Sequence, residues 1–84
     1  KYKRKGTNFE LVFIGISKYK DIFDIYDTLK DIKGITGICI KEVTEKKVVY
    51  TGIYKGLLPD LVNQLSSLGF VIEQVRGRSV CLRK

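Results

Sequence analysis

Two segments of the chain repeat one pattern of apolar and polar positions. Residues 9–18, FELVFIGISK, form the longest nearly unbroken apolar stretch, and residues 48–55, VVYTGIYK, repeat its order of aromatic, glycine, isoleucine and lysine. Short apolar stretches rich in Val, Ile and Phe are typical of buried strands. Each copy precedes an amphipathic helical pattern that ends at a glycine, Gly34 or Gly69, and an apolar segment follows each glycine. The pattern therefore predicts strand–helix–strand twice in succession.

The first predicted helix follows Ser17, a suitable N-cap residue because its hydroxyl can accept a hydrogen bond from a free amide of the first turn. Apolar residues then recur at spacings of three and four, which marks one face of a helix. This stripe consists of Tyr19, Ile22, Phe23, Tyr26, Leu29 and Ile32, with Ile25 beside it. In the second predicted helix, Pro59 lies in the first turn, where its missing amide costs nothing. The second stripe consists of Leu61, Val62, Leu65 and Leu68.

The other apolar segments predict three further strands. Residues 38–43 alternate as a strand, residues 44–47 form a charged turn, and residues 48–54 return as the next strand, so these two strands form a hairpin. Residues 70–75 form a fourth strand. Residues 79–83 form either a short fifth strand or, after a bulge, the end of one long strand.

This order of elements predicts a ferredoxin-like βαββαβ fold, an α/β sandwich with two helices on one face of a four-stranded antiparallel sheet. The repeated strands lie side by side at the centre, and the second and fourth strands are the edges. We interpret residues 1–8 as a basic linker or tail and residues 9–84 as a single domain, near the size at which one core is just sufficient.

Alternation along the central strands divides their side chains between the two faces of the sheet. The mostly β-branched set suits the helix-facing core and consists of Val12, Ile14, Ile16, Val49 and Ile53. The other set then lies on the open face, where an apolar surface usually binds a partner or is covered by another part of a longer chain. We predict an interaction surface there, formed by Phe9, Leu11, Phe13, Tyr50 and Tyr54.

The net charge of +7 comes from the two ends of the chain. The predicted basic patch consists of Lys1, Lys3, Arg4, Lys5, Arg76, Arg78, Arg83 and Lys84. In the four-stranded sheet these ends converge, unless a fifth strand carries the C-terminus away. Such a patch attracts nucleic acid or anionic lipid, and the alternative is a pair of solubilising flanks.

The sequence offers little for catalysis or metal binding. It contains no histidine and two cysteines, Cys39 and Cys81, which the predicted strand order places on opposite edges, too far apart to bridge. We therefore expect two buried free thiols, no metal site, no cofactor and no catalytic residues. Nucleophilic catalysis lacks a base, and we interpret the protein as a non-enzyme. No apolar stretch approaches the ~20 residues that span a bilayer.

Short motifs resemble known families of this architecture. Residues 29–35, LKDIKGI, resemble the helix–glycine–strand passage of heavy-metal-associated domains, but residues 15–20 lack the two cysteines of their metal loop. Residues 12–15, VFIG, are similar to the first strand of RNA-recognition motifs, whereas residues 47–52 depart from the second motif of that family. The layout is also similar to ring-building domains of bacterial envelope machinery and to regulatory domains that sense small ligands.

These observations favour a non-catalytic protein-interaction or assembly module, which binds a protein partner or a second copy of itself. The resemblance to ring-building domains implies one domain of a larger protein of the bacterial envelope machinery. One alternative is weak single-stranded nucleic-acid binding, in which Phe13, Tyr50 and Tyr54 stack on bases and the basic ends hold phosphates. The other alternative is a regulatory domain that senses a small ligand.

Overall fold

The structure is a computed structural model, and it describes residues 6–16 and 18–83. Two helices and five strands form a small α+β domain. In chain order they are β1 (Thr7–Ile14), α1 (Tyr19–Lys30), β2 (Ile35–Val43), β3 (Lys47–Tyr54), α2 (Leu58–Ser67), β4 (Val71–Arg76) and β5 (Ser79–Arg83). β1 begins two residues earlier than predicted, and residues 1–5 of the predicted tail lie outside the described residues.

The sheet has the order β2-β3-β1-β5-β4. The repeated strands β1 and β3 are neighbours, and β2 and β4 are the edges, which confirms these parts of the prediction. The prediction of a four-stranded antiparallel sheet was wrong, because the sheet has five strands. Gly77, with φ at +56°, turns the chain after β4, so that β5 returns and inserts between β4 and β1. β5 pairs in parallel with β1, from Glu10 opposite Ser79 to Ile14 opposite Arg83, and the sheet is therefore mixed.

α2 ends where the sequence predicted, with its C-cap residue directly before Gly69, whereas α1 ends at Lys30, four residues before the predicted end at Gly34. α1 has Lys18 as its N-cap residue, without a side-chain capping bond, and Ser17, the predicted cap, lies outside the described residues. Gly69 directly follows the C-cap Leu68 of α2 and has φ at +99°, the left-handed conformation that glycine adopts without strain.

The two faces of the sheet are exchanged relative to the prediction. The Tyr50 hydroxyl donates a 2.7 Å hydrogen bond to the backbone carbonyl of Ile22 in α1, so this side chain points toward the helices. Side chains opposite one another on paired strands share a face, and Tyr50 is opposite Leu11. All five residues of the predicted interaction surface are buried in one core with Leu61 and Leu65 of α2; they are Phe9, Leu11, Phe13, Tyr50 and Tyr54. That surface is therefore not an open face of the folded domain.

Side-chain length explains the exchange. Phe, Tyr and Leu extend further from the sheet than β-branched side chains do, so they fill the space beneath the helices better. The predicted core residues Val12, Ile14 and Ile53 lie half-buried on the open face instead. Val49 is on the same face but is buried, because Val12 and Glu42 flank it on the neighbouring strands. Of the predicted set, Ile16 alone joins the core beneath the helices, beyond the end of β1.

Candidate functional site

Three large apolar side chains at one corner of the molecule are exposed to solvent. Tyr19 is 77% exposed, Phe23 is 59% exposed and Val43, at the end of β2, is 47% exposed. Single exposed apolar residues are ordinary, whereas a cluster of them is a candidate interaction site. We call Tyr19, Phe23 and Val43 the aromatic patch.

The position of α1 brings these residues together. Tyr19 and Val43 line the same surface hollow, which also contains Lys18 and Glu45. On the other flank of α1, Thr28 lines a hollow with Leu68, the C-cap residue of α2. One side of α1 therefore faces α2, and the other side faces the edge strand β2.

The helical period extends the patch along α1. Phe23 lies one turn after Tyr19 on the same flank, because residues four apart are neighbours on a helix surface. Tyr26 continues this flank and is partly buried, and the Lys30 ammonium lies 5.5 Å from the centre of the Tyr26 ring. The patch thus combines exposed rings with nearby cations.

The sequence analysis missed this patch because it assigned all apolar residues of α1 to the core. The buried residues are Ile22, Ile25 and Leu29, a set that by itself has the spacing of one helix face. Tyr19, Phe23 and Tyr26 form a second line of the same spacing, rotated around the helix from the first. A helix of twelve residues with two such lines has more apolar surface than one core-facing stripe needs. This excess of apolar residues was the sequence feature that could have predicted an exposed patch.

The open face of the sheet has a small apolar centre and a polar border. One complete row crosses all five strands in the order Glu42, Val49, Val12, Cys81 and Gln74. The outer residues of this row are exposed, and the three inner residues are buried or half-buried. Packing between neighbours already removes much of this apolar surface from water. The open face is therefore a weaker candidate for an interaction surface than the aromatic patch.

The described arginines of the predicted basic patch do not converge. β5 carries Arg83 to the end of β1, opposite Ile14, where its Nε lies 2.8 Å from a carboxylate oxygen of Glu73. Arg76 and Arg78 remain at the start of β1, because the Arg78 carbonyl accepts a hydrogen bond from the Glu10 amide. The other members of the patch, Lys1, Lys3, Arg4, Lys5 and Lys84, lie outside the described residues.

The structure shows the surroundings of the Tyr50 phenol and of the two cysteine thiols. Burial raises the pKa of the Tyr50 phenol from 10.0 to about 12, so it stays protonated at neutral pH and holds its hydrogen bond to α1. Both cysteines are free: Cys39 is exposed on the edge strand β2, and Cys81 is half-buried on β5. The expectation that both thiols are buried was therefore wrong for Cys39.

Neither a metal-ligand cluster nor a membrane-spanning helix is found among the described residues. Within residues 6–16 and 18–83, no group of three or more His, Cys, Asp or Glu side chains is placed to hold a metal ion. Neither helix in these ranges is long and apolar enough to cross a membrane. The chain matches no protein-family model, no curated protein and no solved structure.

Proposed function

We propose that the protein is a non-catalytic binding module that docks a protein partner on the aromatic patch. The observation that carries the proposal is the exposure of the Tyr19 and Phe23 rings on one flank of α1, beside the edge strand β2. Aromatic residues are enriched at the centres of protein interfaces, since they bury large areas at low cost in conformational entropy. A partner that covers both rings removes this apolar surface from water.

The surroundings of the patch, which include Lys18 and Glu45, favour a partner with charged groups at the edge of its own apolar surface. Lys18 lies in the hollow with Tyr19 and Val43, and Lys20 and Lys30 are exposed on α1. Charges at the rim of an interface steer association and select among partners more than they add affinity. The proposed partner therefore presents apolar side chains to the rings, carboxylates to these lysines and a cation to Glu45.

The three rings that were predicted to stack on nucleic-acid bases are buried in this fold. Phe13, Tyr50 and Tyr54 are at most 6% exposed, whereas stacking requires an open aromatic face. Attraction of phosphates by the basic ends stays a prediction, as does membership of a larger bacterial envelope protein.

Photo-crosslinking in the native host tests the docking proposal. The photoreactive residue p-benzoylphenylalanine replaces Tyr19 or Phe23 in turn, and the control position is Leu57, which is 70% exposed and lies between β3 and α2. We expect one protein adduct of the same mass from both patch positions and none from the control. Adding the substitution Val43→Asp should abolish the adduct, because it places a carboxylate in the apolar contact while the domain stays folded.

The mass of the adduct distinguishes a different protein from a second copy of this chain. Sedimentation of the purified chain, with and without Phe23→Asp, checks the second case. Equal yields at Leu57 and Phe23, or a monomeric chain without any patch adduct, would contradict docking at the aromatic patch.

A further inference from the structure

A polar hollow of about 490 Å³ crosses the open face of the sheet at the end where β1 begins. Its floor is formed by β1 and β3, and its two walls are the irregular start of β2 at Gly37 and the turn between β4 and β5. Six polar side chains line it: Asn8, Glu10, Thr51, Arg76, Arg78 and Ser79. The hollow lies on the face opposite the helices, away from the aromatic patch.

The register of the sheet fixes the order of these groups. Thr51, Glu10 and Ser79 are successive partners on β3, β1 and β5, and Arg76 is opposite Ser79 on β4. Neighbouring strands lie about 4.8 Å apart, so the backbones of Glu10 and Arg76 are roughly 10 Å apart. Ser79 lies between the carboxylate and the guanidinium, and Arg78 precedes it in the turn.

The side chains of the hollow have unused hydrogen-bonding capacity. Among the described residues, neither Arg76 nor Arg78 forms an ion pair, and the half-buried Glu10 carboxylate accepts no hydrogen bond. The hydroxyls of Thr51 and Ser79 also make no hydrogen bond within this part of the chain. Arg83, on the same face, is by contrast paired with Glu73. The hollow therefore presents to a ligand two guanidinium groups and one carboxylate that have no side-chain partner among residues 6–16 and 18–83.

We propose that this hollow binds a free acidic amino acid, an α-amino dicarboxylate of the glutamate or aspartate type. The proposal goes beyond docking at the aromatic patch and is independent of it. Two carboxylates of the ligand match Arg76 and Arg78, and its ammonium group matches Glu10. The hollow has a formal charge of +1, and the ligand has −1, so the complex is neutral. Guanidinium groups bind carboxylates through paired, charge-assisted hydrogen bonds, which gives the two arginines their role.

Simpler ligands satisfy only part of this arrangement. A dicarboxylate without an amine, or inorganic phosphate, can pair with the arginines but leaves the Glu10 carboxylate facing additional negative charge. A simple amine can pair with Glu10 but is repelled by Arg76. The site therefore selects a ligand that has both an ammonium group and two carboxylates.

Amide chemical shifts of the isotope-labelled chain measure the binding. L-glutamate is compared with glutarate, which has the same two carboxylates and no ammonium, at constant pH and ionic strength. We expect shifts at residues 8–10, 51 and 76–79, and a dissociation constant for L-glutamate roughly tenfold lower than for glutarate, the effect of one hydrogen-bonded charge pair. Inorganic phosphate is the third probe and should bind no better than glutarate.

Three conservative variants assign the roles. Glu10→Gln should reduce the ratio of the two dissociation constants to about one, because the ammonium loses its charged partner. Arg76→Gln should weaken both dicarboxylates by roughly tenfold. Arg83→Gln removes the same charge from the far end of the same face and should leave both constants within about twofold of the original values. Comparing two ligands on each variant separates loss of recognition from loss of structure.

Two results would overturn the assignment. The first is equal affinity for L-glutamate, glutarate and phosphate, which shows general attraction of anions to the basic chain. The second is the absence of shifts at residues 8–10, 51 and 76–79 up to the solubility limit of L-glutamate. Neither result bears on the crosslinking at Tyr19 and Phe23, so the two proposals stand or fall separately.

Discussion

The Tyr50 hydroxyl donates a 2.7 Å hydrogen bond to the backbone carbonyl oxygen of Ile22, and both residues are buried. This bond joins the central strand β3 to the first helix across the core. The Tyr50 ring also meets Phe13 edge-on, with ring centres 5.5 Å apart, and Phe13 meets Phe70 in the same way at 5.2 Å. One tyrosine thus connects β3 to α1 through its hydroxyl and to β1 through its ring.

Tyr50→Phe removes the hydroxyl and keeps the ring. We expect the free energy of unfolding to fall by about 1 kcal/mol, the usual net value of one buried hydrogen bond. Urea denaturation measures the change, and Tyr19→Phe is the matched control because its hydroxyl is on an exposed ring. Equal stability of the original chain and Tyr50→Phe would show that the bond to α1 contributes nothing.

The same hydroxyl predicts loss of stability in alkali. Burial raises the pKa of Tyr50 from 10.0 to about 12 in the folded chain. Below pH 10 the phenol is protonated in both states and its contribution is fully present. Between pH 10 and 12 the unfolded chain releases this proton while the folded chain retains it, so stability falls as pH rises, by of the order of 2 kcal/mol in total.

The comparison with Tyr50→Phe isolates this titration from those of the lysines. Stability is measured by denaturation between pH 9 and 12 at constant ionic strength. The difference in stability between the two proteins should shrink and then change sign across this interval. Parallel curves would contradict a raised pKa at Tyr50.

Hydrophobic periodicity predicted the elements and their neighbours well because it reflects local geometry. The repeated segments are β1 and β3, the hairpin is β2–β3, and both helices form where the apolar periodicity predicted them, although Tyr19, Phe23 and Leu68 of the predicted stripes are exposed. Periodicity of two also separated the side chains of β1 and β3 into the correct two sets, except that Ile16, beyond the end of β1, belongs to the other set. It did not show which set faces the helices, because an alternating pattern is the same whichever face is covered. The β-branched residues were assigned to the core, but the longer side chains of Phe13 and Tyr50 occupy it.

The position of β5 and the exposure of Phe23 depend on tertiary packing. Residues 79–83 fit a fifth strand and a continued fourth strand equally well in the sequence, and only the pairing of Ser79 to Arg83 with β1 decides between them. The exposed aromatic patch is similarly a property of how α1 is rotated on the sheet. The polar hollow combines residues from all five strands, and no local motif contains them.

The two thiols should differ in reactivity. Cys39 is exposed on an edge strand, and Cys81 is half-buried on β5 between Val12 and Gln74. A thiol-specific chromogenic disulfide should label Cys39 first in the native chain and both thiols equally after denaturation without reductant. Cys39→Ser identifies the fast phase. A total of fewer than two thiols in the denatured chain would contradict the free cysteines.

The neighbours Phe13 and Ile14 should respond oppositely to truncation, because they lie on opposite faces of β1. Phe13 is fully buried between Tyr50 and Phe70, so Phe13→Ala should lower the free energy of unfolding by about 3–5 kcal/mol, enough to unfold much of a small domain. Ile14 is half-buried on the open face, opposite Lys47 and Arg83, and Ile14→Ala should cost about 1 kcal/mol through lost cross-strand contact. Urea denaturation of both variants gives the two values, and Phe13→Leu, which retains most of the apolar volume, should recover much of the loss. A mild effect at Phe13 together with a severe one at Ile14 would mean that the helices cover the other face of the sheet, and the open-face hollow at Glu10 and Arg76 would then have to be abandoned.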